Sequence, residues 1–224
     1  MKRIIFVILF MMIILLSGCN RTYSMYTFKN SDAYKPFDEN ISISDTVNTL
    51  NVSWVSGYLE IKEGETFSVS EEKIRGEYMP LYWMIDGDTL NIRFAQNNSN
   101  VNNRSKKLVI VLPKDSITNI DIDVISANYS LKLSSVNKLI VDNVSGRGIV
   151  EVDTIKTIDI DTVSGDTSLS IYSTVNLSSI NIDSVSGDAE IGIGDNGNYN
   201  LDFDTVSGNI KIKKIEKSIG RCSF

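Results

Sequence analysis

The sequence predicts an all-β protein built as a β-solenoid, a parallel β-helix-like stack of roughly 19–22-residue repeats, with a β-sandwich as the alternative. Three observations carry this. Val-Ser-Gly recurs at Val144-Ser145-Gly146, Val163-Ser164-Gly165, Val185-Ser186-Gly187 and Val206-Ser207-Gly208, after a degenerate Ile125-Ser126-Ala127 and an outlying Val55-Ser56-Gly57. Successive positions of the glycine (or Ala127) are 19, 19, 22 and 21 residues apart. Aligning the repeats produces apolar columns, and no segment beyond the N-terminus has a 3.6-residue apolar period.

The N-terminus comes first. Lys2 and Arg3 precede an unbroken apolar run of 13 residues, Ile4 to Leu16, and then Ser17-Gly18-Cys19. Charge, a short apolar stretch and small residues are the layout of a secretory signal peptide. A bilayer-spanning helix needs about 20 residues, so the run is too short for a permanent span. Leu16-Ser17-Gly18-Cys19 resembles the lipobox of bacterial lipoproteins. The resemblance implies cleavage before Cys19 and acylation of its thiol, often of the new amino terminus too. Two or three acyl chains, at about 0.8 kcal/mol per buried methylene, anchor stably where one does not. The expected location is outside the cytoplasm, lipid-anchored to the cell membrane or the outer membrane.

Residues 1–18 are thus expected to be a signal peptide and 19–45 a lipidated tether. The tether is polar and irregular, and Tyr23, Tyr26, Phe28 and Tyr34 in it suit either packing on the first strands or a place near headgroups. Residues 46–113 read as an N-terminal β region. Alternation is plain at Leu50-Asn51-Val52, Leu59-Glu60-Ile61, Leu90 to Phe94 and Leu108 to Leu112. Asp86-Gly87-Asp88 signals a turn, Asn97 to Lys107 a polar loop, and Pro113 closes a strand. Residues 114–224 are the Val-Ser-Gly repeat region.

In the repeats, Ile120, Leu139, Ile158, Ile180 and Leu201 stand five before the valine. Ile122, Val141, Ile160, Ile182 and Phe203 stand three before it, and Leu131, Val150, Leu169, Ile191 and Ile212 four past the glycine. Residues two apart share a strand face, so these columns point inward. The valine breaks that parity, and the reading places a bend just before it, with valine and glycine both inward at a corner. Stacking repeats at about 4.8 Å then buries one continuous apolar stripe.

Ile160-Asp161-Thr162-Val163-Ser164-Gly165-Asp166 and Ile182-Asp183-Ser184-Val185-Ser186-Gly187-Asp188 resemble the repeats of the DUF4097 proteins, a family described as adhesins, as does Asp86 to Ile92. The resemblance spans roughly Val47 to Lys214. It implies the repetitive β fold and a surface role, and it brings no catalytic residues. Ala127, and Arg147 where Asn or Asp is usual, depart from the pattern and put corner geometry in question.

Composition excludes several functions. There is no histidine, which removes imidazole triads and imidazole zinc sites. Loss of Lys2 and Arg3 changes the charge from 22 − 28 = −6 to 20 − 28 = −8, which disfavours nucleic acid and anionic headgroups. With Cys19 acylated, Cys222 has no disulfide partner in the chain and reads as a small buried hydrophobe or, less simply, as half of an intermolecular bridge.

The sharpest candidate site is the column two before the valine: Asp123, Asp142, Asp161, Asp183 and Asp204. Two carboxylates about 5 Å apart in water repel by about 0.8 kcal/mol. Such a ladder is expected either to cap corner N–H groups, as Asx-turns do, or to bind a cation such as Ca²⁺. The serine column, Ser126, Ser145, Ser164, Ser186 and Ser207, has no base beside it and reads as structural. Gly194-Asp195-Asn196-Gly197-Asn198 is closer to a turn than to a calcium loop, since no bidentate Glu follows at the required distance. No cofactor is required.

The expectation is a non-enzymatic structural, adhesion or envelope-interaction module, with envelope protein, polysaccharide or its own copies as partners. The basic end, Lys211, Lys213, Lys214 and Lys217, suits a contact or a cap on the last repeat. The rival is a carbohydrate-binding or carbohydrate-cleaving β-helical protein, with Tyr78, Tyr82 and Trp83 near Asp86 as a sugar face.

Overall fold

A computed structural model describes residues 25–38, 41, 43, 46–195 and 197–216. Cys19, Asn196, Lys217 and Cys222 lie outside the described residues. In chain order the strands are β1 (Met25–Tyr26), β2 (Lys35–Pro36), β3 (Thr49–Gly64), β4 (Ser68–Arg75), β5 (Tyr82–Asp86), β6 (Thr89–Arg93), β7 (Ser99–Asn100) and β8 (Ser105–Pro113), then β9 (Asn119–Ser145), β10 (Gly148–Ser164), β11 (Thr167–Ser173), β12 (Ser179–Ser186), β13 (Ala189–Ile193), β14 (Asn200–Ser207) and β15 (Ile210–Lys214). Only one short 3-10 turn, Ser31–Ala33, interrupts the β structure among the described residues. The protein is all-β, and no described helix is long and apolar enough to cross a membrane.

Alternation with a period of two makes each segment a strand with one buried face. In β8 every second residue is buried, from Lys106 to Leu112. The strands then stack in parallel and in register along two ladders. The first contains β6, residues 49–54 of β3, both ends of β9, residues 157–164 of β10, β12 and β14. The second contains β8, residues 57–64 of β3, the middle of β9, residues 148–154 of β10, β11, β13 and β15. Each repeat contributes one segment to each ladder. β9 is longer than one repeat and returns beside its own start, where Asn137 N donates to Thr118 O at 2.7 Å.

The aligned columns meet as like residues: Leu139, Ile158, Ile180 and Leu201 are successive register partners. Both ladders contribute to a single hydrophobic core cluster in which Ile122, Ile160, Ile171 and Ile191 are fully buried. Stacking is what removes these side chains from water, since one repeat has no second face to cover its own.

The corner differs from the sequence reading. The valine does not turn inward: Ile125, Val144 and Val206 are 49%, 46% and 69% exposed, and only Val163 is buried. The residue before it is the inward one, at Val124, Asn143, Thr162 and Ser184. Alternation therefore runs unbroken to that residue, and the bend falls within Val-Ser-Gly. The physical cause is the glycine. A Cβ on Gly165 would lie 2.1 Å from Gly146 O, and one on Gly187 2.3 Å from Gly165 O, so the backbones meet closer than any side chain allows. At Ala127 the chain passes the corner without a positive φ.

The end of the stack nearest the N-terminus is covered. β4 lies antiparallel on β8, β5 antiparallel on β6, and β2 antiparallel on β5. Part of the expected tether also docks here, with Tyr26 packing against Phe28 and Phe94, and Phe28 against Tyr34.

Candidate interaction face

The five aspartates fall on the outer face of the first ladder because each lies between two inward residues. Asp142, Asp161, Asp183 and Asp204 are successive register partners, and Asp123 is the partner of Ser53. The column two residues earlier adds Asp121, Asp159 and Asp202, with Ile140 and Asn181 between them. One sheet face thus carries two adjacent acidic columns. Burial, reinforced by the carboxylates of Asp123 and Asp161, pushes Asp142 up to about 6. Asp121 and Asp183 are also raised, by burial and then by Asp123 and Asp204 respectively. Ser53 Oγ donates to Asp123 Oδ2 at 3.0 Å, and Asn181 Nδ2 to Asp159 Oδ1 at 2.8 Å. Among the described residues, no three carboxylate or thiol side chains converge to hold a metal ion.

Corner N–H groups are served by a different column, the residue after the glycine. Asn128 Oδ1 accepts from Arg147 N at 2.8 Å, Asp166 Oδ1 from Asp188 N at 3.1 Å and Asp188 Oδ1 from Asn209 N at 2.8 Å. Arg147 has no acceptor to offer, so the relay breaks at that repeat. The inward polar column supplements it: Asn143 Nδ2 donates to Gly146 O at 2.9 Å and to Thr162 Oγ1 at 3.3 Å. In the serine column, Ser126 Oγ donates to Val55 O at 3.1 Å.

Asp195 reaches back one repeat and accepts from Thr174 N at 2.8 Å and from the Thr174 hydroxyl. Those bonds lower its pKa and tie Asp195 to the preceding repeat. Trp83 packs partly buried against the core, and Tyr78 Oη donates to Glu71 Oε2 at 3.1 Å. A separate groove of about 380 Å³ on the second ladder is lined by Lys62, Glu63, Lys132, Glu151, Asp153 and Tyr172.

Sequence reasoning missed one pair. The side chains of Lys106 and Glu71 are 2% and 0% exposed and form an ion pair. Lys106 Nζ also donates to Met79 O at 2.9 Å and to Phe94 O, and it lies 4.9 Å and 4.2 Å from the Trp54 and Phe94 ring centroids. Burial pushes this ammonium down to about 8, against the pull of Glu71. Lys106 is the register partner of Gly57, so its backbone fills a corner and its side chain enters the core. The one sequence signal is parity, since Lys106 shares the face of Leu108 and Ile110.

No family model matches the chain. No curated protein matches it either. Solved structures do. One, described as "a putative cell adhesion protein" from Clostridium sporogenes, is 15% identical with a TM-score of 0.43 and matches over 81% of this chain and 98% of its own. Another, described as "a putative adhesin" from Bacteroides fragilis, is 10% identical with a TM-score of 0.32, over 81% of this chain and 96% of its own.

Proposed function

We propose that the chain is an exported lipoprotein, anchored through Cys19, whose repeats form a β-solenoid that acts as a structural, adhesion or envelope-interaction module rather than an enzyme. The observation that carries this reading is the register of Asp142, Asp161, Asp183 and Asp204, which repeats one chemistry along a rigid face. A catalytic site concentrates unlike groups at one place. A periodic face instead suits a partner that is itself extended, such as an envelope polymer or a protein surface carrying cations.

The anchor is tested by growth with labelled fatty acid. Wild type takes up label and fractionates with membranes, whereas Cys19→Ser folds, stays unlabelled and leaves the membrane fraction. Label retained on Cys19→Ser ends the lipoprotein reading. Cross-linking in intact envelopes before lysis identifies the partner. Loss of that cross-link on replacing the Asp column with Asn assigns it to the acidic face.

One observation favours a carbohydrate-binding module as a second reading. The groove beside Tyr172 combines an aromatic ring with Lys132, Ser134, Glu151 and Asp153, as recognition of a polar ring requires. Glycan binding abolished by Tyr172→Ala supports it, and binding unaffected by that change removes it.

A further inference from the structure

The two ends of the stack are treated differently. At the first, antiparallel β4, β5 and β2 cover the ladders. At the last, among the described residues, β14 pairs only with β12 and β15 only with β13. Both outer edges therefore present backbone N–H and C=O groups without a neighbouring strand. Among the described residues the core is also less covered there. Ile212 is 52% exposed, while Ile191 in the same column is 0% exposed. Leu201, Phe203 and Ile210 are half-buried, where Ile180, Ile182 and Ala189 of the repeat before are buried.

Charge is divided between the two edges. The outward charged side chains of β14 are Asp202 and Asp204, and those of β15 are Lys211 and Lys213, all exposed. Lys213 already pairs with Glu190 of its own chain, leaving Lys211 the less engaged of the two.

We propose that a second molecule of this chain docks on this end, with β14 of each antiparallel to β15 of the other. Head-to-tail addition in the parallel register of the ladders requires the opposite end, where antiparallel β4 and β5 already occupy the edges of β8 and β6. Two two-fold arrangements prolong both ladders. One sets β14 beside β14 and β15 beside β15, placing Asp opposite Asp and Lys opposite Lys, which opposes pairing. The other sets β14 beside β15 in both halves, joins Asp202 and Asp204 to Lys211 and Lys213, and brings Leu201 and Phe203 against Ile210 and Ile212. Such a contact is isologous and closes at two molecules, so it does not grow into a fibre. It deepens the interaction-module reading by naming one partner. A monomer would sink it while leaving the anchor and other envelope partners intact.

The test is sedimentation of the detergent-solubilised full chain, with circular dichroism to confirm folding. Wild type sediments as a dimer. Lys211→Glu with Lys213→Glu, or Asp202→Lys with Asp204→Lys, weakens association at least tenfold. The variant carrying all four changes dimerises again, and so does an equal mixture of the two double variants, because opposite charges are restored at both seams. A monomeric wild type at roughly 100 µM overturns the proposal. So does a dimer indifferent to both double variants. A wild type that dimerises only after removal of residues 217–224 would assign the edge to the chain's own C-terminus and overturn it equally.

Discussion

Lys106 Nζ sits against the Glu71 carboxylate with almost no solvent at either side chain, beside the mutually packed rings of Trp54 and Phe94. The pair fastens β4, which carries Glu71, and the Met79 segment to β8 at the covered end of the stack. Breaking one partner leaves the other charge buried. Lys106→Met or Glu71→Gln is expected to cost about 3–5 kcal/mol in urea unfolding, and Lys106→Met combined with Glu71→Leu much less than either cost doubled. Costs that simply add would show that the two groups do not act as a pair.

The same lysine predicts a pH effect of definite sign. Its folded pKa of about 8 lies below the ordinary 10.5, so between these values the unfolded chain binds more protons. Stability contributed by Lys106 therefore rises as pH increases from about 8 toward 10. Lys106→Met should lose that slope, and an unchanged slope would assign it to another group.

The acidic face predicts the opposite trend at lower pH. Asp142 is raised from 3.8 to about 6, so the folded state binds more protons in that window. Its contribution to stability falls as pH rises from about 4 to 6, making the protein more stable at mildly acid pH than at neutrality. Asp142→Asn should flatten this dependence and stabilise at pH 7 by about 1 kcal/mol, after allowing for solvent screening of a partly exposed carboxylate. Added salt should narrow the difference between wild type and variant.

Gly165 tests the corner. A Cβ there meets Gly146 O at 2.1 Å, which no side-chain rotation relieves. Gly165→Ala is expected to cost about 2–3 kcal/mol by thermal or urea unfolding. Gly87→Ala, at φ +60° with open space around it, should cost only about 1 kcal/mol. Equal costs at the two positions would mean that close approach is not what selects glycine in Val-Ser-Gly.

The sequence by itself determined the β class, the repeat phase and the columns that fill the core. Ile120 and Ile122 before the corner, and Leu131 and Leu133 after it, are apolar at two-residue spacing within each segment, and parity needs no knowledge of neighbours. It also located the acidic column, because an Asp directly after an inward residue points out. The corner was not legible. Asn143, Thr162 and Ser184 are polar, so local pattern sends them outward, yet stacked glycines close the turn and draw them in, where Asn143 bonds Gly146 O and the Thr162 hydroxyl. Lys106 and Glu71 were likewise hidden, since each charge alone belongs in water and only their meeting makes burial tolerable. The uneven ends, one covered by β4 and β5 and the other open at β14 and β15, appear only once strands pair. Pairing joins residues far apart in the chain, and a linear pattern records the face of a strand but not its neighbour.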